Sequence, residues 1–287
     1  MPAQKAQVIG ELRHKHKLSL LLEVTGLARS TYYYHAKKQT ETDKYSSVKE
    51  ELVAVFHENK GRYGYRRVTK ELHNRGYHIN HKTVQRLMKE LHLICCVRLK
   101  KYRSYRGEVG KIATNLLDRN FVAIKPNEKW VTDVTEFSLF GQKLYLSPVL
   151  DLYNGEIVSY SLSYHPNFEL TVDMLKKAFC KIPSNTGLIL HSDQGWQYQM
   201  KPYQRMLKEK GIRQSMSRKG NCLDNAVIEN FFGILKTELF YLQTFDSTDH
   251  FIAELKDYIQ YYNNRRIKQK LKGMSPVQFR VHTLQSA

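Results

Sequence analysis

The spacing of apolar positions first changes to a strand period at Trp130. Upstream, apolar residues recur every three or four positions, as on one face of a helix. Leu52, Val53 and Phe56 predict a helix from Ser46 to about Asn59. Val68 and Leu72 predict a second, following Gly64 and running to about Arg75. RGYHIN then reads as a turn, and Asn80 is a suitable N-cap for a third helix, HKTVQRLMKELHL. That helix turns Val84, Leu87, Met88 and Leu91 inward. A short helix, a tight turn and a cationic helix form a helix-turn-helix pattern, although an ordinary charged three-helix bundle has the same periodicity. Ahead of it, residues 1–38 predict a small helical unit with two short helical patterns around Gly26, the second capped by Ser30 or Thr31. A plain helical hairpin and a miniature helix-turn-helix fit that stretch equally.

From Trp130 strands with a period of two appear, with helices between and after them. WVTDVTEFSL alternates, and KLYLSPVLDLYNGEIVSYSLSY reads as two strands joined at Tyr153-Asn154-Gly155, where Asn-Gly favours a tight hairpin turn. Phe168–Cys180 predicts a helix, and GLILHSD a buried central strand. A basic helix over 199–210, a fifth strand IRQSMS and a long helix from Leu223 past Leu239 follow. This order of elements is that of a ribonuclease-H-like α/β core, a mixed five-stranded sheet with flanking helices, preceded here by an all-α helix-turn-helix region. The predicted organisation is a helical unit at 1–38, a helix-turn-helix domain at 46–95, a basic linker at 96–126, the catalytic-type core at 127–245 and a helical tail at 246–287.

Charge adds a partner. Lys plus Arg is 46 against 27 Asp plus Glu, a net of +19. Residues 1–120 hold 25 basic and 11 acidic residues, so the excess sits mainly in the first half. A polyanion is the partner such a distribution suits, and nucleic acid is the commonest. The third helix presents His81, Lys82, Gln85, Arg86 and Lys89 outward, as a major-groove helix does. Arg62, Arg66 and Arg67 lie just upstream. In the linker, Lys100, Lys101, Arg103 and Arg106 interleave with Tyr, which suits a segment lying along phosphates or a solvated tether. Arg218 and Lys219 complete the candidate DNA contacts. The four cysteines, Cys95, Cys96, Cys180 and Cys222, form no C-x-x-C, which argues against a structural zinc site and a disulfide framework. The longest apolar runs are far too short to span a bilayer. A bacterial cytoplasmic, nucleoid-associated protein is the expectation.

Three acids carry the candidate chemistry. Asp133 falls inside the first predicted strand, Asp193 just after the central strand, and Glu229 in the first turns of the long helix. In the expected fold those places converge. Two divalent cations need such hard, shared oxygen ligands: one to activate water or a 3′-hydroxyl, the other to stabilise the leaving oxygen on phosphorus. Metal also offsets the repulsion among the carboxylates. Lys236, seven residues beyond Glu229, falls on the same helix face, where a cation suits a strand-end phosphate or an ordinary surface pair.

The motifs GRYGYRRV (61–68), WVTDVTEF (130–137), HSDQGWQY (191–198), GNCLDNAVIENFFGILKTE (220–238) and YIQYYNNRRIKQKLKGMSPVQF (258–279) stand in order along most of the chain. Together they resemble the catalytic, second-reading-frame transposases of bacterial insertion sequences, in the retroviral-integrase superfamily. Between Asp193 and Glu229 lie 35 residues, the interval of the D-D-35-E signature. The resemblance implies that Asp133, Asp193 and Glu229 hold two Mg²⁺ or Mn²⁺ ions, and that Lys236 is the family's basic residue after the Glu. It implies cleavage of the element's ends and joining of a 3′-hydroxyl to a second DNA strand. It implies a homo-oligomer on DNA and a partner encoded by an upstream frame. The His-His-Cys-Cys zinc module of retroviral integrases is absent. A catalytically silent DNA-binding regulator and a ribonuclease-H-like nuclease are the alternatives. The role of the basic run at 265–272 stays open between DNA and a second subunit.

Overall fold

A two-residue break in one strand organises the sheet. Lys129–Thr132 forms β1 and Thr135–Leu139 forms β2, with Asp133 and Val134 between them. Both pair antiparallel with the same edge of the ten-residue strand β3 (Gln142–Asp151), β2 with its first half and β1 with its end. β4 (Ile157–Ser163) takes the opposite edge of β3. On the far side β1 pairs parallel with β5 (Ile189–Ser192), which pairs parallel with β6 (Arg213–Met216). The sheet is therefore mixed and six-stranded, because the first of the five expected strands is divided. This computed structural model describes residues 2–40, 43–95, 112–218 and 222–285.

Two compact units result, Met1–Val55 and Phe56–Ala287. In the first, α1 (Pro2–Leu12), α2 (Leu18–Thr25) and α3 (Arg29–Thr40) gather Ala6, Ile9, Leu21, Leu22, Leu27 and Tyr32 into a small core. Gly26 ends α2 in the left-handed conformation, with φ of 61°. α3 starts at Arg29, ahead of both residues expected to cap it. α4 (Ser46–Glu58) begins in this unit, and its last turn belongs to the second.

In the second unit α5 (Tyr65–Asn74) packs on α6 (His81–Glu90). The Asn80 side chain accepts from the Lys82 N–H at 2.8 Å and so starts α6 where the sequence predicts. The sheet core joins Trp130, Val149, Leu188, Leu190 and Met216 to Met174, Leu175 and Ala178 of α7 (Phe168–Phe179), and to Tyr203 and Leu207 of α9 (Lys201–Lys210). β5 is buried at every position, as its apolar run requires. The one-turn α8 (Trp196–Gln199) precedes α9. A 3₁₀ turn, Cys222–Asn225, leads into α10 (Ala226–Leu235), which closes in a π-helical turn, Lys236–Phe240. Phe137 of β2 meets Phe240 and Phe251, and Phe231 of α10 meets Tyr262, at ring separations of 5.0–5.2 Å. These aromatics seat α10 and α11 (Thr248–Asn264); α12 (Pro276–Gln285) ends the described chain.

The β3–β4 connection is wider than the two-residue hairpin Asn-Gly suggests. Gly155 alone of the pair has positive φ, 71°, whereas the tightest turn needs it at both residues. Asn154 is buried instead, donating to the Pro276 carbonyl at 2.9 Å, so tertiary packing overrides the local preference.

Candidate active site

Asp133 stands where the first strand breaks, not inside it. Its Oδ1 accepts from the Val134 N–H at 2.7 Å, a bond that bends the backbone out of the ladder. Its Oδ2 accepts from Asn225 Nδ2 at 3.1 Å. Asp193 follows the neighbouring strand β5, and its Oδ1 accepts from the Gly195 N–H at 2.9 Å. Glu229 lies in the first turn of α10. Burial first, then the charges of Asp193 and Glu229, push the Asp133 carboxyl well above the usual carboxylate range. Burial raises Asp193 as well, against the Gly195 bond. Asp133 is thus within electrostatic range of both other expected acids. Among the described residues no three such side chains stand close enough to ligate one ion together. Carboxylates without a counter-charge repel, whereas Mg²⁺ needs only one or two of them, with water and phosphate completing its shell. The donor set fits a hard cation on that count. A further sign is Asn225 Oδ1, which is buried beside Asp133 with no hydrogen-bond partner among the described residues.

Several residues at this end were not singled out from sequence. Asp224 is 1% exposed and holds Arg218 in a bidentate pair at 3.0 Å and Arg119 at 3.2 Å. The Arg218 bonds keep its carboxyl well below the usual range. It also accepts from Asn115 Nδ2 at 3.0 Å, which ties residues 115–119 to the turn that carries Asn225. Tyr198 is fully buried, and burial together with the nearby charges of Asp133 and Asp193 raises its hydroxyl well above normal, so it stays neutral. His191 is buried with Nδ1 2.8 Å from Ser215 Oγ; burial lowers it to about 4, so it too is neutral near pH 7. The Asp-Asn pair within GNCLDNAV was the available signal for 224 and 225. Nothing local distinguishes Tyr198 from a core tyrosine.

A cleft of about 440 Å³ opens next to the strand break, lined by Val134, Glu136 and Tyr145, by Pro166, Asn167, Leu170 and Thr171 around the α7 start, and by Trp196 and Gln197. Trp196 is half exposed there, 50%, three residues from Asp193.

The expected DNA contacts divide. Lys82, Gln85, Arg86 and Lys89 are exposed on α6, and Arg66 on α5. Arg62 is not at the surface: it is 7% exposed, donates Nε to the Glu238 carbonyl at 3.0 Å and lies under Tyr261. Arg67 is turned toward Glu238 as well, at 3.5 Å. Arg218 is exposed but engaged by Asp224. Lys236 ends α10 with its ammonium 5.4 Å from the centre of the Phe137 ring, and burial lowers its pKa. The basic run at 265–272 is partly internal, since Arg266 is 2% exposed and bonds Glu238 at 2.6 and 2.8 Å. Lys100, Lys101, Arg103, Arg106 and Lys219 lie outside the described residues.

Comparison with known proteins agrees with this architecture. The family model described as "Integrase core domain" matches residues 123–222, a second of the same description matches 229–284, and one described as "HTH-like domain" matches 46–102. The class is thus an integrase core joined to a helix-turn-helix-like segment. The transposase InsK of insertion sequence element IS150 from Escherichia coli is 56% identical over 96% of this chain and 98% of its own. The transposase of IS904 from Lactococcus lactis is 38% identical over 85% of this chain and 96% of its own. This chain belongs to the insertion-sequence transposases of the retroviral-integrase superfamily. Among solved structures, the integrase catalytic core of HTLV-2, in complex with magnesium, aligns over 55% of this chain and 98% of its own at 17% identity, with a TM-score of 0.44.

Proposed function

We propose that the chain is a metal-dependent DNA transposase that cleaves the ends of its insertion sequence and joins the freed 3′-hydroxyl to a second DNA strand. The observation that carries this reading is the position of the buried Asp133, in the break between β1 and β2, within electrostatic range of both Asp193 and Glu229. Those three would hold two divalent cations, Mg²⁺ or Mn²⁺. When bound, the cations would supply Lewis-acid activation of the nucleophile and relief of charge on the leaving oxygen. The chain's own residues do the rest. Val134 N–H, Gly195 N–H and Asn225 Nδ2 fix the carboxylate orientations. Neutral Tyr198 lies beside Asp133 and Asp193 without adding charge. The cleft at Trp196 offers the strand beside the scissile phosphate an apolar wall.

Outward residues of α6 would read the major groove, and the regions 46–95, 96–126, 127–245 and 246–287 would act as DNA-reading domain, linker, catalytic core and tail. Assembly as a homo-oligomer on the element's ends, and joining to an upstream-frame product, complete the proposal. The test is strand transfer on terminal-repeat duplex with Mg²⁺, by the chain alone and fused to that upstream product. Asp133→Asn is expected to lose about a thousandfold or more, since several kcal/mol of charge stabilisation go with the metal site. Full activity of Asp133→Asn would refute the metal-site assignment. Equal cleavage of an RNA–DNA hybrid and of the repeat duplex would overturn the substrate.

A further inference from the structure

A second basic site lies away from the acids, between α5, α6 and the turn at 269–273. Arg66, Lys70 and His73 recur along α5 at intervals of four and three, on one face. His81 stands at the start of α6, and Gln269 and Lys272 approach from the C-terminal turn. They enclose about 440 Å³, and no acidic residue lines it. Five of these six side chains are basic or imidazole. Arg66, Lys70 and Lys272 line one opening, so a bound anion would relieve their mutual repulsion.

The turn is docked there by specific contacts. Asn74 Nδ2 donates to the Gly273 carbonyl at 3.2 Å. Gly273 has φ of +82°, and a Cβ on it would strike the Lys70 stem, so only glycine permits this approach. Behind the turn the buried Arg266–Glu238 pair and the Tyr63 hydroxyl, which accepts from the Ile267 N–H at 2.9 Å, hold the strand that enters it. Lys272 itself has φ of +55°. A lysine there costs about 1–2 kcal/mol that glycine would not. Retaining a cation in a conformation that disfavours it suggests that its charge is used at this spot.

We propose that the 269–273 turn completes, with α5 and the first turn of α6, a binding site for a backbone phosphate of duplex DNA. The inference rests on the reading of the chain as a DNA transposase and extends it to the basic run whose role the sequence leaves open. The site lies at the N-terminal end of the outward-facing α6, where free N–H groups also favour an anion. A phosphate held there sets the register of that helix in the groove without reading sequence.

The experiment is duplex binding by the full chain across a salt series, on terminal-repeat DNA and on unrelated DNA of equal length. Lys272→Gly removes the charge and relieves the backbone, so folding is not at risk. Lys270→Gln removes the same charge from the neighbouring exposed position that does not line the site. One lost phosphate contact lowers the slope of log K against log salt by about 0.9 and affinity at 0.1 M salt by about eightfold. Lys272→Gly is expected to show both on either duplex, and Lys270→Gln less than a twofold change. Equal effects of the two variants, or a loss confined to the terminal repeat, would overturn the proposal. So would a Lys272→Gly that abolishes a thermal shift by inorganic phosphate yet leaves duplex affinity intact, which would mark a free-anion site. If the unaltered chain shows no salt-dependent duplex binding, the DNA-binding reading fails first and takes this one with it.

Discussion

Glu238→Ala tests how the catalytic helix is anchored. Glu238 sits in the π-helical turn that closes α10, and its carboxylate receives Arg266 at 2.6 and 2.8 Å and the Tyr258 hydroxyl at 2.9 Å. Burial alone would raise this carboxyl, but the bonds and charges of Arg266 and Arg67 hold it below the usual range. Removing it leaves Arg266, 2% exposed, as an uncompensated buried cation. Stripping one partner from a buried pair costs about 3–5 kcal/mol. For a unit of this size each kcal/mol moves the melting temperature by about 2–4 °C, so a fall of roughly 6–20 °C is expected. Circular dichroism melts with a urea titration at 25 °C would measure it. The double variant Glu238→Leu/Arg266→Met removes the most buried cation together with its partner, leaving Arg67 as the side chain that loses an ion pair, and is expected to recover at least half of the loss. The reasoning fails if Glu238→Ala costs under about 1 kcal/mol, or if the double variant is no more stable than the single one.

Other outcomes follow from named groups. Asp193→Asn and Glu229→Gln are each expected to abolish the rise in melting temperature that saturating Mg²⁺ gives the parent, about 2.7 kcal/mol at a hundredfold excess over Kd; a preserved shift would remove that residue from the cation site. Asp151 is buried and raised to about 6 from 3.8, so its protonated form favours folding: stability is full below about pH 4 and is lost by about 3 kcal/mol as pH rises to 6. Asp151→Asn should abolish that difference between pH 4 and 7, and urea titrations that fall in parallel for parent and variant would contradict it. Trp196→Ala, at a half-exposed position, should leave the melt nearly unchanged but lower strand transfer about 5- to 150-fold if a base stacks on the indole; unchanged transfer would rule out stacking there.

Periodicity and capping placed much of this chain without tertiary information. Asn80 starts α6 where the sequence predicts, because a cap is a bond between near neighbours. β5 is buried at every position, and Asp193 and Glu229 fall where expected, just after a strand and in the first turn of a helix, whereas Asp133, expected inside a strand, stands in its break. The interval from Asp193 to Glu229 was legible because it is a property of the chain itself. What only the tertiary structure decided is where each charge ends up. Arg62 and Arg266 read as surface cations, yet one is bound to the Glu238 carbonyl and the other to its carboxylate. Their partner lies 176 residues from the first and 28 from the second. The strand break at Asp133 likewise depends on β3, whose single edge serves two partners. Sequence pattern records which residues prefer water or a helix, because those preferences act locally. Whether an arginine meets a carboxylate or solvent depends on contacts that exist only once distant segments have folded together.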